Sequence, residues 1–290
     1  MQSKPPQDTV VESTYKKLEH PCFLQPTDDS IHVWRYLDLA KFIWLLENQK
    51  LYLSRLDLLG DPHEGSLPQT VADQHYSEHL YHKLAISHTK LISEFGEVGG
   101  ALKFKDMIPN IIKESEHMAT QQRSNNQEDR RHYFVNCWHM NNSESEAMWR
   151  LYCPNNNGIA IQTTYKKLVE STMSDEWLHI GRVNYIDYDS EVFPTDNVFY
   201  KLMHKRISFA HEKEVRLIKT VIPENWGTPQ EICLEGIEFD WAVEDIVDAI
   251  HVNPYAPNYF FDVVRNVVKR TYPQLEERVI WSKMRAPPRY

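Results

Sequence analysis

The spacing of apolar residues changes twice along this chain of 290 residues. Short segments before about residue 60 and after residue 132 alternate apolar and polar side chains, as β-strands with one buried face do. The block from about 69 to 131 instead has the 3.6-residue period of long, charged amphipathic helices, interrupted near Gly96 to Gly100. We therefore predict an α+β fold, in which a central mixed, largely antiparallel sheet is flanked by helices and carries a helical insertion.

The strand-like segments refine this prediction. Strands are expected near residues 32, 51, 134, 159, 182, 215, 247 and 279. Some are joined by helices and others by turns, which favours a mixed sheet over a doubly wound one. Asp38 is predicted to cap the helix after the first strand, and a further helix is predicted from about Asn197 to His211. The helical insertion is expected to lie over one edge of the sheet as a lid.

The domain boundaries follow from polarity. Residues 1–30 are polar and contain prolines, which predicts an N-terminal arm with order beginning near Ile31. Residues 31–290 then form a single α+β domain with the insertion at about 69–131. A chain of this length can bury a sizeable core without being divided further.

Charge and cysteine usage exclude several classes of protein. The formal net charge of −9 argues against a general nucleic-acid or anionic-membrane surface. No apolar run of about 18 residues and no basic leader is present, which predicts a cytoplasmic protein without a membrane span. The four cysteines are scattered and fit reduced thiols. Cys137 and His139 could supply two zinc ligands from one strand, but no second pair accompanies them, so no zinc site is predicted.

The segment from Phe134 to Gln162 has more polar and aromatic detail than a structural hairpin needs. Ser143 and Glu146 form an S-x-x-E capping box at the start of a short helix. Trp149 and Tyr152 follow at helical spacing and give that helix an aromatic face. The two rings fit either a core or a ligand site, and the polar residues beside the same turn favour a site.

Acidic residues form a second group of candidates. Glu212 and Glu214 are predicted at a helix-to-strand junction, and Arg216 follows on the same strand face. The three side chains could form a structural charge ladder or contain a catalytic carboxylate. Asp61 and Glu64 lie in a turn-rich loop, where the alternatives are a capped turn and an active-site loop.

Six short motifs follow one another along the chain. They are Trp34–Tyr36, Leu59–Gly65, Cys137–His139, Met148–Tyr152, Gly158–Ile161 and Phe209–Arg216. In this order they resemble the bacterial family catalogued as domain of unknown function 2971. The resemblance covers roughly residues 31 to 290. It implies membership of an uncharacterised family and carries little function with it.

A remoter resemblance suggests a chemistry. The order of a basic-Tyr strand, a helix, a strand with Ser54, an aromatic motif and a final Glu-x-Glu is similar to the ADP-ribosyltransferase arrangement. It implies NAD as co-substrate, with His32 or Arg35 at a phosphate. Glu214 would stabilise the sugar cation beside Glu212, although no Ser-Thr-Ser motif is visible. The implied site residues are Glu214 and Glu212 as catalytic groups, and His32, Arg35, Tyr36, Ser54, Trp149 and Tyr152 around the cofactor.

Three function classes remain open, and whether the chain is an enzyme remains open with them. The first is an NAD-consuming ADP-ribosyltransferase or NAD glycohydrolase, a toxin or defence effector, with a protein or nucleic-acid acceptor left undefined. The second is a divalent-metal-dependent hydrolase or nuclease built on Asp61, Glu64, Glu212 and Glu214. The third is a non-enzymatic module whose groove holds a small molecule, a nucleotide or a partner peptide.

Overall fold

The computed structural model of the protein describes residues 18–221 and 234–287. Within these ranges nine strands form one sheet, and a separate parallel pair, β6 and β7, lies beside it. In the main sheet only the β10–β11 pairing is parallel, so the predicted α+β fold with a largely antiparallel sheet is confirmed. The strands are β1 (His32–Asp38), β2 (Lys50–Arg55), β3 (Tyr133–Met140), β4 (Gly158–Thr164), β5 (Leu178–Arg182), β6 (Asn184–Ile186), β7 (His204–Arg206), β8 (Glu214–Thr220), β9 (Gly236–Asp240), β10 (Ala249–Val252) and β11 (Val279–Trp281).

Helices connect these strands and cover the sheet. The main apolar core lies where α1, α4 and α7 pack on one face, and a smaller cluster around Phe23 and Leu56 fills part of the other face. None of the helices in the described ranges has both the length and the apolar character needed to cross a lipid bilayer. The helices are α1 (Leu39–Asn48), α2 (Gln69–Asp129), α3 (Glu146–Tyr152), α4 (Tyr165–Ser171), α5 (Phe199–Met203), α6 (Val243–Ile246) and α7 (Asn258–Thr271).

A fork in the sheet is the feature that positions the site. β8 pairs along almost the whole of β3, so β1 and β2 share the opposite edge of that strand. β1 reaches β3 only at Val33↔Met140 and Trp34↔His139, and β2 reaches it only through Ser54 and Arg55. Between these contacts the ladder on this edge of β3 is interrupted over residues 136–138. β1 and β2 therefore diverge and leave an opening in the sheet.

Helix α1 joins the two diverging strands. Asp38 caps it as predicted, because its carboxylate accepts a hydrogen bond from the backbone N–H of Lys41 at 2.8 Å. The helix ends at Gln49, whose left-handed conformation (φ 54°) turns the chain into β2. Phe42 and Leu46 are fully buried against the sheet. This packing holds the opening from one side.

The predicted helical insertion is a hairpin. Gly96 has a φ of 71°, which breaks the helix and reverses the chain, so that residues 69–95 and 97–129 run antiparallel. A Cβ atom on Gly100 would lie 2.7 Å from the backbone of Ile92, so the arms pack closely there. Lys83 and Glu114 pair across the arms at 3.3 Å. The contacts recorded between the hairpin and the sheet domain lie near its base.

Three local predictions need correction. The helix predicted from Asn197 to His211 is instead α5, strand β7 and a 3₁₀ helix (Ile207–Glu212). Residues 204–206 pair with β6 and therefore have an extended backbone. The short helix α3 is capped by the Ser145 side chain rather than by Ser143. Packed structure begins before Ile31, since Phe23 is 1% exposed; residues 1–17 of the predicted arm lie outside the described ranges.

Candidate functional site

A cavity of about 660 Å³ lies at the fork between β1 and β2. Its size is within the range of small-molecule sites. Because the ladder is open there, side chains from both faces of the sheet line the same space. The predicted site residues among its lining are Arg35, Tyr36, Ser54, Tyr152, Glu212 and Glu214. His32 and Trp149, also predicted, are not part of it.

Trp149 supports the wall of the cavity from behind. It is 1% exposed, and its ring meets the ring of Tyr36 edge-on at a centroid distance of 4.9 Å. Its Nε1 donates a hydrogen bond to Glu144 Oε2 at 3.0 Å. His32 lies at the start of β1, with its ring 6.4 Å from that of Trp34. Neither side chain therefore faces a ligand in the cavity.

Two tyrosines form part of the wall. The hydroxyl of Tyr36 accepts a hydrogen bond from the backbone N–H of Ser145 at 2.9 Å, which ties β1 to the start of α3. Tyr152 at the end of α3 is 44% exposed while lining the cavity, so it lies at the mouth. Burial raises the pKa of the Tyr36 phenol above its ordinary value, so this group is neutral at physiological pH.

Two side chains bridge the fork in place of backbone hydrogen bonds. Arg35 Nη1 donates to the carbonyl oxygen of Cys137 at 2.6 Å, on the unpaired edge of β3. Asn136 Nδ2 donates to the carbonyl oxygen of Tyr52 at 2.9 Å, and its Oδ1 accepts from Trp138 Nε1 at 2.8 Å. The opening is thereby stabilised, because backbone carbonyls exposed by the missing ladder find donors.

The floor is a buried ionic network. Glu214 pairs with Arg216, with Nε to Oε1 at 2.6 Å, and Glu64 pairs with the same guanidinium at 3.0 Å. Lys205 Nζ lies 2.9 Å from Glu64, 2.6 Å from Glu212 and 3.5 Å from Glu214. All five residues are at most 7% exposed. Three carboxylates thus share two cations, which leaves one surplus negative charge under the cavity.

The two lining carboxylates have different surroundings, and their pKa values are shifted in opposite directions. Burial opposes ionisation of Glu214, but Arg216 and Lys205 outweigh burial and hold its pKa at about 2. Burial raises the pKa of Glu212 above its ordinary value despite the nearby Lys205 ammonium. Among residues 18–221 and 234–287, Lys205 is the one ion-pair partner of Glu212, and its charge is shared with Glu64 and Glu214. One carboxylate is therefore firmly ionised while its neighbour holds a proton more readily.

The acidic loop contributes both of its predicted alternatives. Asp61 Oδ1 accepts a hydrogen bond from the backbone N–H of His63 at 3.0 Å, as in a capped turn, and pairs with Arg206 at 2.8 Å. Glu64 is instead 2% exposed and belongs to the ionic network. In this loop the carboxylate of Asp61 therefore caps the backbone, and that of Glu64 belongs to the ionic network under the cavity.

The carboxylates predicted for a metal site converge on a lysine. Lys205 Nζ occupies the point where Glu64, Glu212 and Glu214 meet, which is where a divalent ion would have to lie. In residues 18–221 and 234–287 no group of three or more His, Cys, Asp or Glu side chains has an arrangement that could hold a metal ion. This donor set does not fit a resident cation.

Sequence reasoning missed two residues of the site. Lys205 was expected within a helix, and only its position in β7 brings it to the carboxylates. His139 lines the cavity and lies opposite Glu214 in the β3–β8 ladder. The Cys-Trp-His motif was a signal for this histidine, but with fourteen histidines in the chain several lie beside a motif, and this one did not stand out.

Comparison with known proteins yields a family without an assigned activity. Residues 148–217 match the family described as a protein of unknown function (DUF2971). The matched segment runs from α3 into β8 and contains Tyr152, Lys205, Glu212, Glu214 and Arg216. No curated protein and no solved structure matches the chain. Four of the five residues of the buried ionic network thus lie in the segment that the family model matches, and the fifth, Glu64, lies outside it.

Proposed function

We propose that the cavity binds a nucleotide of the NAD type and that the protein cleaves its N-glycosidic bond, transferring the ADP-ribosyl group to water or to another acceptor. One observation carries the proposal. The guanidinium of Arg35 lines the same cavity as Glu212, whose pKa is raised, and Glu214, whose pKa is lowered. Pairs of titratable groups driven apart by their surroundings are typical of active sites.

The guanidinium supports an anionic ligand. Arg35, Lys41 and Lys50 are the basic side chains among the cavity lining. Lys41 pairs with Asp38 at 3.3 Å and Lys50 with Glu238 at 2.5 Å. Arg35 has no carboxylate within ion-pair distance in the described part of the chain; its recorded hydrogen bond goes to a backbone carbonyl. An arginine has five N–H donors in a fork that matches phosphate, so a pyrophosphate group is a suitable partner.

The carboxylates support glycosidic cleavage. Breaking the bond between ribose C1 and the pyridinium nitrogen leaves the electron pair on nitrogen, so nicotinamide departs neutral and positive charge develops on the ribose. Glu214 is ionised, held in one orientation by Arg216, and lies in a buried floor where such charge is stabilised strongly. Tyr36 and Tyr152 offer aromatic surface for the departing ring.

Glu212 suits the second half of the reaction. After cleavage, the oxygen of water or of an acceptor hydroxyl bonds to ribose C1 and loses its proton. A carboxylate with a raised pKa accepts that proton at physiological pH more readily than Glu214 does. Glu212 would orient the acceptor and take its proton, while Glu214 remains ionised throughout.

The test compares two substitutions in the same ionic network. Glu214→Gln removes the charge that lines the cavity, and we expect nicotinamide release from NAD to fall roughly 10²- to 10³-fold. Glu64→Gln removes one carboxylate from the same Arg216 and Lys205 but does not line the cavity, so it serves as the matched control. Both variants should melt at lower temperature, because each leaves buried cations with one partner fewer.

At a temperature where both variants are folded, only Glu214→Gln should release nicotinamide more slowly than the wild-type protein. Equal loss of nicotinamide release in both variants would make the network purely structural. If the wild-type protein binds NAD but releases no nicotinamide, either to water or to added acceptors, the cavity is a binding site and the proposed reaction is wrong.

A further inference from the structure

The two ring nitrogens of His139 have different surroundings. The side chain is 2% exposed and lines the cavity from β3. Nδ1 lies 2.6 Å from the carbonyl oxygen of Glu212, and a carbonyl can only accept, so Nδ1 carries the proton. In the neutral ring Nε2 then presents a lone pair. The hydrogen bond to Glu212 thus selects the tautomer and directs an acceptor elsewhere.

That acceptor is unused within the described part of the chain. Nε2 of His139 is buried and has no hydrogen-bond partner there. A buried polar atom without a partner is costly, and such atoms are rare in native proteins. The groups facing the ring are the edge of Tyr36 at a centroid distance of 6.3 Å, the Glu212 backbone, and the charges of Lys213 and His211. None of them supplies a donor to Nε2.

The floor as a whole is rich in acceptors. Glu212 and Glu214 present carboxylate oxygens to the same cavity, while the donors beneath them, Lys205 and Arg216, are engaged by carboxylates. A ligand group that fits such a floor must donate hydrogen bonds and need not carry charge. The vicinal hydroxyls of a ribose have this chemistry, whereas a phosphate or a carboxylate does not.

We propose that Nε2 of His139 accepts a hydrogen bond from a ribose hydroxyl of the ligand and thereby selects ribose phosphates over their deoxy forms. The inference rests on the proposed function for the chemical class of the ligand, and it adds a binding residue to that site. A site that hydrogen-bonds a hydroxyl discriminates strongly against an analogue without it, because the buried acceptor would be left unpaired. His139 neutral, and not protonated, is the form that binds.

The experiment uses two substitutions of His139, one that keeps the hydrogen bond made by Nδ1 and one that keeps an acceptor at the position of Nε2. His139→Asn places its amide near the position of Nδ1 and can still donate to the Glu212 carbonyl, but it leaves the Nε2 position empty. His139→Gln reaches the Nε2 position and restores an acceptor there. Affinity for ADP-ribose, a probe with the ribose hydroxyls and without a scissile nicotinamide, is measured by calorimetry at pH 7.5. Melting temperatures are measured in parallel.

We expect His139→Asn to bind ADP-ribose roughly ten- to a hundredfold more weakly than the wild-type protein. His139→Gln should recover most of the affinity. Unchanged binding by His139→Asn, equal weakening in both variants, or no binding of ADP-ribose by the wild-type protein would each overturn the inference. If His139→Asn does not fold, the ¹⁵N resonance of Nε2 in the wild-type protein decides: it must shift on addition of ADP-ribose, and an unchanged resonance in the bound state overturns the contact.

The same measurements separate this inference from the proposed reaction. Binding of ADP-ribose that depends on His139, without nicotinamide release from NAD, would retain the hydroxyl contact and refute the reaction. Nicotinamide release that His139→Asn leaves unchanged in rate and in KM would retain the reaction and refute the contact.

Discussion

Single residues determine the electrostatics of the cavity. Arg216 is fully buried, and its donors are met by Glu214, by Glu64 and by the carbonyl oxygen of Leu202 at 2.7 Å. Such an arrangement contributes little net stability, because desolvation of the charges offsets their attraction, but it fixes the carboxylates in place. The predicted shared face of Glu214 and Arg216 is confirmed, and the pair is both an ion pair and part of the cavity floor.

Trp149 provides a prediction on stability alone. Its ring is 1% exposed and packs behind Tyr36, so Trp149→Ala should lower the free energy of unfolding by about 3 to 5 kcal/mol. Trp177, which is 60% exposed, is the control, and Trp177→Ala should change stability by no more than about 0.5 kcal/mol. Urea unfolding followed by circular dichroism measures both. A wild-type midpoint for Trp149→Ala would mean that the ring does not pack as described.

Among the secondary-structure elements, the fork depends on several strands at once, whereas the hairpin makes few contacts with the sheet domain. The fork requires β1, β2 and β3 together, since its open edge is stabilised by Arg35 and Asn136 reaching across strands. The hairpin α2 is largely self-contained. Its recorded links to the sheet domain include Lys201, which lies 3.4 Å from Asp129, and Thr70, which donates to the carbonyl oxygen of Glu191. None of the cavity-lining residues belongs to it, so the hairpin does not cover the cavity. Its expected position over one edge of the sheet stays a prediction.

Shortening the hairpin should therefore leave the site intact. Lys83 and Glu114 face each other across the arms, so residues 83–114 can be replaced by a short Gly-Ser loop that keeps the base. We expect far-UV circular dichroism to show less helix, with one cooperative unfolding transition and NAD affinity equal to that of the full chain. Loss of cooperativity, or a weaker affinity for NAD, would show that the distal arms contribute to the core or to the cavity.

At the scale of the whole molecule, buried histidines couple stability to pH. Burial lowers the pKa of His139, His204 and His251 below the ordinary value of 6.5, and partial burial lowers that of His20. As pH falls through that value, the unfolded chain takes up protons at these residues while the folded chain does not yet do so. The folded state therefore loses stability toward acid. Glu212, with its raised pKa, acts in the opposite sense but is a single group.

We accordingly expect the urea midpoint to be nearly constant above about pH 7.5 and to decrease between about pH 7 and pH 5. Midpoints measured at several pH values in one buffer series of constant ionic strength test this. His204→Asn should reduce the slope, because it removes one of the shifted groups. A midpoint that rises from pH 7 to pH 5.5 would show that carboxylates such as Glu212 dominate the linkage in that range.

Local spacing was sufficient to predict most of the elements and the faces of their side chains. The helix after Asp38, the interruption of the helical insertion near Gly96 and the strand β3 follow from it, because side-chain direction repeats every two residues in a strand and every 3.6 in a helix. The same periodicity predicted that Glu214 and Arg216 share a face. Six of the eight site residues that the remoter resemblance implied also line one cavity.

How those faces meet depends on contacts between segments that are distant in the chain. Glu64 and Arg216 are separated by 152 positions in the chain, and His139 and Glu212 by 73, so no local pattern relates them. The fork arises because two strands share one edge of β3, and strand register is set by packing between distant segments rather than by spacing within one. For the same reason, the sequence did not show that Trp149 is buried behind the cavity wall or that His139 lines the cavity. Local spacing predicts the direction of a side chain, but the residues that it contacts come from distant segments.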